Sequence, residues 1–273
     1  NPGIPSGGSR TVRSHGLVRV TEWSDTALVL RVGRFREADI WLRLFTRRHG
    51  IVSAFAFGGS RSRRRFCGCL DLFNELRIRM KSTRNGQYLT LEEGMLLNGP
   101  RRLRTDRNRL GMFMNCVQFM ETLGVPSDNS NEVFSTLTTM LGLLESAESV
   151  PAAIPILFRL RLASDLGYAP AFSACSACGR QSPPGARFLI PEGTLICAAC
   201  VAMKDMREGI RLSGASLELL RRVQALSPFE WDFSGEQSGA QAPEEHRACM
   251  KAIDGFIQYH LGIAWENGRF RRL

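Results

Sequence analysis

Apolar and polar residues alternate through the first third of the chain. Ala27–Val32, Ile40–Phe45 and Ile51–Phe57 each follow period two and read as strands, the second and third joined by the turn Arg47-Arg48-His49-Gly50. Two more strands follow, Leu72–Met80 and Tyr88–Leu97, joined around Asn85-Gly86. Five short strands with an insertion ahead of the fourth predict a small barrel of the OB type, although an SH3-like barrel would use much the same pattern.

From Pro100 the period becomes helical. Leu110, Phe113, Val117, Met120 and Leu123 recur at three- and four-residue steps between Asp106 and Gly124. Asn131–Leu144, opened by Ser130 or Asn131, is a second amphipathic helix, and Ile154–Leu166, stopped by Gly167, is a third. Ser213–Leu226, headed by a serine N-cap, and Pro243–Leu261, closed by Gly262, follow further on, separated by a polar, glycine-rich loop over Ser234–Ala242. Three helices before and two after a central module make a helical bundle whose Met and Phe stripes are core.

That central module is set by two Cys-x-x-Cys pairs, Cys175/Cys178 and Cys197/Cys200, with 18 residues between them. Two thiolates three residues apart grip one tetrahedral ion from a single tight turn, and a second turn brought back by a hairpin completes a four-thiolate shell. Gly179 suits such a knuckle, and Arg187–Ile190 and Thr194–Ile196 read as the hairpin strands around Pro191-Glu192-Gly193. Four thiolates saturate Zn2+, so one structural zinc is expected, with no open position for water or substrate; this argues against a zinc hydrolase. Cys67 and Cys69, with one residue between them, are a poor chelate, and Cys116 and Cys249 sit in apolar helical contexts as small core residues.

The expected organisation is therefore multidomain α+β. A flexible lead-in covers 1–15, an OB-fold barrel 16–98, a helical domain 99–172 and 205–273, and an inserted zinc ribbon or knuckle 173–204. No run of about 18 apolar residues is present to span a membrane. The Pro/Gly/Ser string at Asn1–Ser9 has no apolar core of a signal peptide, which with thiolate zinc points to the cytoplasm.

The net charge of +10 is unevenly placed. Residues 1–97 carry 17 Lys and Arg against 8 Asp and Glu, and residues 98–273 carry 19 against 18. A first domain so lopsided is the electrostatic footprint of a polyanion binder. Within it, Gly58-Gly59 leads into a loop holding Arg61, Arg63, Arg64 and Arg65, whose guanidinium groups can follow a phosphate backbone of any sequence. Arg34, Arg36, Arg43, Arg47, Arg48, Arg77, Arg79, Lys81 and Arg84 form a weaker second ring of candidates. Phe66, or an exposed aromatic such as Phe35, could stack a base, but for any single aromatic the core is the stronger expectation. No phosphate-binding loop, His-Glu-x-x-His, Gly-x-Ser-x-Gly or deaminase His-x-Glu is present, and His15, His49, His246 and His260 are not grouped with a nucleophile or second ligand. An enzyme is not expected.

Several stretches resemble the RecO family of bacterial DNA repair proteins. They are Ala27–Leu30 followed by Glu37-Ala38-Asp39, Phe45–Gly50, the Gly58–Phe66 loop, Leu166–Pro170 just before Cys175, and Tyr259–Gly262. The resemblance covers the chain from about Gly16 onward and rests on the order and spacing of these motifs. It implies a non-enzymatic, nucleoid-associated recombination mediator that binds single- and double-stranded DNA and anneals complementary strands. It also implies partners: RecR, the tail of single-strand-binding protein reached through the helical domain, and indirectly RecA. The family usually lacks cysteines at the positions of Cys67 and Cys69. The competing expectation is an RNA-binding or transcription-associated protein, since barrels and zinc ribbons serve RNA equally well.

Overall fold

The computed structural model describes residues 21–62, 64–82, 88–203, 208–231 and 242–273. The lead-in, Arg63, Arg84, the Asn85-Gly86 turn and most of the Ser234–Ala242 loop lie outside the described residues. Strands β1 (Glu22–Arg34), β2 (Ile40–Thr46), β3 (Gly50–Ala56), β4 (Glu75–Ser82) and β5 (Leu89–Asn98) close a barrel in the order β1-β2-β3-β5-β4. Neighbours are antiparallel except β3 and β5, which run parallel over Ala54↔Leu89 and Phe55↔Thr90 only. Period two gives the barrel its interior: Ala27, Val29, Leu42, Leu44, Ala54, Ala56, Leu76, Ile78, Met80 and Leu91 all face inward. Phe66, Cys69 and Leu70, from the long β3–β4 connection, fold into the same core.

The helices are α1 (Arg102–Thr105), α2 (Arg107–Leu123), α3 (Ser130–Ser146), α4 (Ile154–Asp165), α5 (Ala198–Met203), α6 (Gly214–Ala225) and α7 (Ala242–Leu261). Their ends follow local chemistry. Asp106 accepts from the backbone N–H of Asn108 and Arg109, Ser213 accepts from Ser216 N, and Gly124 and Gly262 take positive φ of 78° and 60° where α2 and α7 stop. Ser130 does not cap α3; its hydroxyl donates back to the Pro126 carbonyl at 3.2 Å. No helix among the described residues is long and apolar enough to cross a membrane.

The cysteine module is larger than the expected hairpin. Its strands β6 (Gly185–Leu189) and β7 (Thr194–Cys197) are joined by β8 (Ile210–Ser213), which pairs with β6 to give the order β7-β6-β8. A second unexpected element is the hairpin β9 (Ile263–Glu266) and β10 (Arg269–Arg272). Its Asn267-Gly268 turn has φ of 49° and 77°, the positive pair that matches the twist of two antiparallel strands.

One apolar core joins these parts. It runs from Phe113, Phe119, Met120, Phe134 and Leu160 of the helices to Phe188, Leu195 and Leu212 of the small sheet and Phe270 of the terminal hairpin. The barrel contributes its outer face, Leu28, Leu30, Phe45 and Phe73. Phe73 meets Phe113 edge-on, centroids 4.7 Å apart, and Phe45 lies 5.7 Å from Phe134. Above this apolar seam Glu121 of α2 accepts from Arg31 at 2.7 Å and Arg43 at 2.6 Å. Barrel and helices are thus packed as one body with an ion-paired rim.

Candidate nucleic-acid interface and metal cluster

The four paired cysteines converge. Cys175 and Cys178 lie on the turn entering the small sheet, Cys197 ends β7, and Cys200 sits on α5, with all four Sγ atoms within 4.8 Å of one another. A tetrahedral ion with Zn–S bonds of about 2.3 Å sets sulfurs about 3.8 Å apart. Cys178 and Cys197 Sγ stand at 3.8 Å. The turn is built for this grip: Gly179, at φ 73°, donates to the Cys175 carbonyl at 2.9 Å, and Cys197 N donates to Cys175 Sγ at 3.3 Å. Burial works against a thiolate at Cys175, but N–H groups of Cys197, Cys178 and Ala177 aimed at its sulfur outweigh it and hold its pKa at about 6. Cys200, hydrogen-bonded to the sulfurs of Cys178 and Cys197, is pushed up to about 12. A cation at the centre removes this mutual opposition and lets all four be thiolates, so the donor set fits a metal ion.

The cluster is tied into the main core. Phe188 of β6 lies 5.1 Å from Phe172 and 6.3 Å from Phe256 of α7, and His260 Nε2 meets the Ile190 carbonyl at 2.7 Å. The remaining cysteines do not extend the cluster. Cys116 and Cys249 are buried among helices, and Cys69 is buried under β5, where its sulfur donates to the Gly94 carbonyl at 3.3 Å and burial raises its pKa to about 11. Cys67 is exposed.

The cationic candidates separate into held and open groups. Arg43 is bound by Glu121, Arg79 by Glu22 at 2.9 Å and Glu93 at 2.5 Å, and Arg61 by Glu37. Arg47 turns to the helices, its guanidinium 5.5 Å above the Phe134 ring and 3.3 Å from Ser135 Oγ. Arg65 donates to the Phe57 carbonyl and lies 5.0 Å over Phe66. Arg34, Arg36, Arg48, Arg64, Arg77 and Lys81 are exposed and make no ion pair with a described residue. Arg77 and Lys81 alternate with the inward Leu76, Ile78 and Met80 along β4, whereas Arg34 and Arg36 lie at the β1–β2 turn and Arg61, Arg64 and Arg65 on the β3–β4 loop.

Those two loops are fastened to each other. Asp39 accepts from Gly58 N at 2.8 Å, Ser60 donates twice to the Ala38 carbonyl at 3.1 Å, and Glu37 binds Arg61. Phe66 is in the barrel core and is no stacking residue; Phe35 is half exposed, with the Arg36 guanidinium 5.3 Å over its ring. Beside it lie two rings that sequence reasoning passed over, Phe57 and Tyr88. The signal for one of them was present: if Ala54 and Ala56 face inward, Phe55 and Phe57 must both face out. His49 belongs to the barrel's own structure, stacked at 3.9 Å on Trp23 with Nδ1 3.1 Å from the Asp25 carboxylate, which also accepts from Arg48 N.

Comparison with known proteins covers both parts of this architecture. The family described as Recombination protein O N terminal matches residues 20–100, and Recombination protein O C terminal matches 104–269. The chain is 48% identical over 257 residues to a DNA repair protein RecO of Nitratidesulfovibrio vulgaris and 45% identical over 252 residues to that of Lawsonia intracellularis, in each case over 92% of this chain and 100% of the relative. A more distant RecO, from Myxococcus xanthus, shares 30% over 241 residues, 88% of this chain and 93% of its own. The matches run through the barrel, the helices and the four-cysteine sheet alike, and the chain belongs to the RecO family of DNA repair and recombination proteins.

Proposed function

We propose that the chain is a recombination mediator that binds single- and double-stranded DNA, anneals complementary strands and, with RecR, helps load RecA onto DNA coated by single-strand-binding protein. Family membership supports this reading, and the open cations of the barrel carry it on the molecule itself. Annealing needs no chemical step. Two strands repel through their phosphates; a cationic surface that screens both lets bases meet, while contacts to the backbone alone leave the register free to adjust.

Arg61, Arg63, Arg64 and Arg65 are the first contacts in this reading, Arg61 and Arg65 by exchanging Glu37 and the Phe57 carbonyl for phosphate, with Arg34, Arg36, Arg48, Arg77, Lys81 and Arg84 as a second set. Arg43, Arg47 and Arg79 serve first as structural partners. The strand order β1-β2-β3-β5-β4 supports assigning the barrel to the OB type, with residues 16–98 as the DNA-binding domain and 99–172 plus 205–273 as the helical domain. The module at 173–204, extended by β8, holds one structural Zn2+ through Cys175, Cys178, Cys197 and Cys200.

The test is single-stranded DNA affinity against salt for the native protein and for Arg61, Arg63, Arg64 and Arg65 changed together to Ala. Loss of four phosphate contacts shrinks the log-log slope by about 3. An unchanged slope with tight binding moves the site off this loop. No DNA binding at low salt, with RNA of equal length bound, overturns the reading.

A further inference from the structure

A group of aromatic rings sits together on the barrel's surface. Phe55, half-buried on β3, is the hub: Phe35 lies 4.7 Å from it, Phe57 6.2 Å away and nearly parallel at 18°, and Tyr88 5.7 Å away and edge-on at 81°. The outer three are 51%, 44% and 55% exposed. Large rings left this open, side by side, are costly in water and mark a surface that meets something.

Its surroundings say what. Arg36 lies over Phe35, Arg65 donates to the Phe57 carbonyl, and Lys81 and Phe55 both pair with Thr90 of β5 from opposite sides, so cations border the rings on both flanks. The nearby carboxylates are engaged, Glu37 with Arg61 and Asp39 with the Gly58 N–H. The occupant therefore carries negative charge and flat apolar faces together. The rings are also held in place: the turn carrying Phe35 is closed by its N–H to the Asp39 carbonyl at 3.0 Å and bolted to the Phe57–Arg61 loop by the Asp39 and Ser60 bonds.

We propose that Phe35, Phe57 and Tyr88, set around Phe55, form a stacking shelf for the unpaired bases of a single DNA strand. The proposal rests on the reading of the barrel as a DNA binder and adds what that reading lacks, a means of telling single strands from duplex. Phosphate contacts grip both forms. In duplex the base faces are covered by their neighbours; in a single strand they are free to lie on protein rings.

The experiment compares a single-stranded oligonucleotide with an abasic one of the same length and phosphate number, across salt concentrations. The shelf predicts that native protein prefers the strand with bases by about 30-fold or more, and that the salt slope is the same for both, because stacking releases no counterions. Changing Phe35, Phe57 and Tyr88 together to Ala removes the preference and leaves the slope. The triple change to Leu, which keeps apolar cover without π faces, does the same and guards against misfolding of the Ala variant. Preference retained by the Leu variant, with its melting transition intact, overturns the shelf while leaving the barrel's DNA binding in place; the surface would then belong to a protein partner. Failure of the native protein to bind either strand at low salt strikes the DNA reading itself.

Discussion

Arg43 Nε donates to Glu121 Oε1 at 2.6 Å, so the ion pair that rims the barrel–helix seam occupies a guanidinium on the barrel's basic side. Arg31 reaches the other oxygen of the same carboxylate. Replacing Glu121 by Gln should release both arginines toward solvent. The expected result is a small loss of stability, about 1 kcal/mol for a partly exposed pair, with tighter single-stranded DNA binding and a log-log salt slope steeper by about 0.7 to 1.4. Thermal melting and a salt titration on the same preparation check both parts; a stability loss without a change of slope would place these arginines off the DNA path.

Arg77 and Arg79 stand two residues apart on the outward face of β4, one open and one held by Glu22 and Glu93. Changing Arg77 to Ala should reduce the slope on single strands by about 0.7, whereas changing Arg79 to Ala should leave it within error. Equal effects of the two would show that DNA displaces the carboxylates from Arg79.

Metal content gives a third expectation. Purified protein should carry one zinc per chain, and removing it by chelation or by changing Cys175 to Ser should destabilise more than the small sheet, because Phe188 and Leu195 belong to the main core. A loss of at least about 3 kcal/mol is expected, a fall in Tm of roughly 6–12 °C for a chain of this size. Elemental analysis with calorimetry decides it; metal-free protein that melts like the native form would make the cluster dispensable.

Glu145 supplies a pH dependence. Its carboxylate accepts from the N–H groups of Arg101, Arg102 and Leu103 at 2.8–2.9 Å, capping α1 from a neighbouring helix. Burial opposes the charge, but these bonds outweigh it and hold the pKa below its ordinary 4.5. A depressed carboxylate contributes stability that is fully present above the unfolded value and is lost as pH falls through the folded one. Glu145→Gln should therefore cost about 1 kcal/mol at pH 7 and flatten the decline in stability below about pH 4.5. Denaturant titrations of both proteins from pH 7 to pH 3 measure it.

How far the sequence foretold this molecule depends on whether the signal was local. The period-two strands, the Ser213 cap, Gly262 as a helix stop and the four-cysteine grip all follow from a few neighbouring residues, and all are found. What went unread depends on distant partners. β8 is four residues long and is a strand only because β6 offers it an edge, and Arg43 becomes a structural residue only because α2 brings Glu121 to it. The terminal hairpin is the exception: Asn267-Gly268 between alternating residues was a local signal passed over. The barrel's basic charge was legible as a sum, but which cations stay open was settled by carboxylates on other strands and helices.

The shared core also fixes an order of events during synthesis. The barrel is made first, yet Leu28, Leu30, Phe45 and Phe73 on its outside stay bare until Phe113 and Phe134 have left the ribosome. The helices in turn wait for Phe270, which packs 5.3 Å from Phe119, and for Arg272, which donates to the carbonyls of Thr122 and Leu123 at the end of α2. A nascent chain therefore carries an exposed apolar flank until Phe270 is free to pack, the interval in which chaperones act on partly folded proteins.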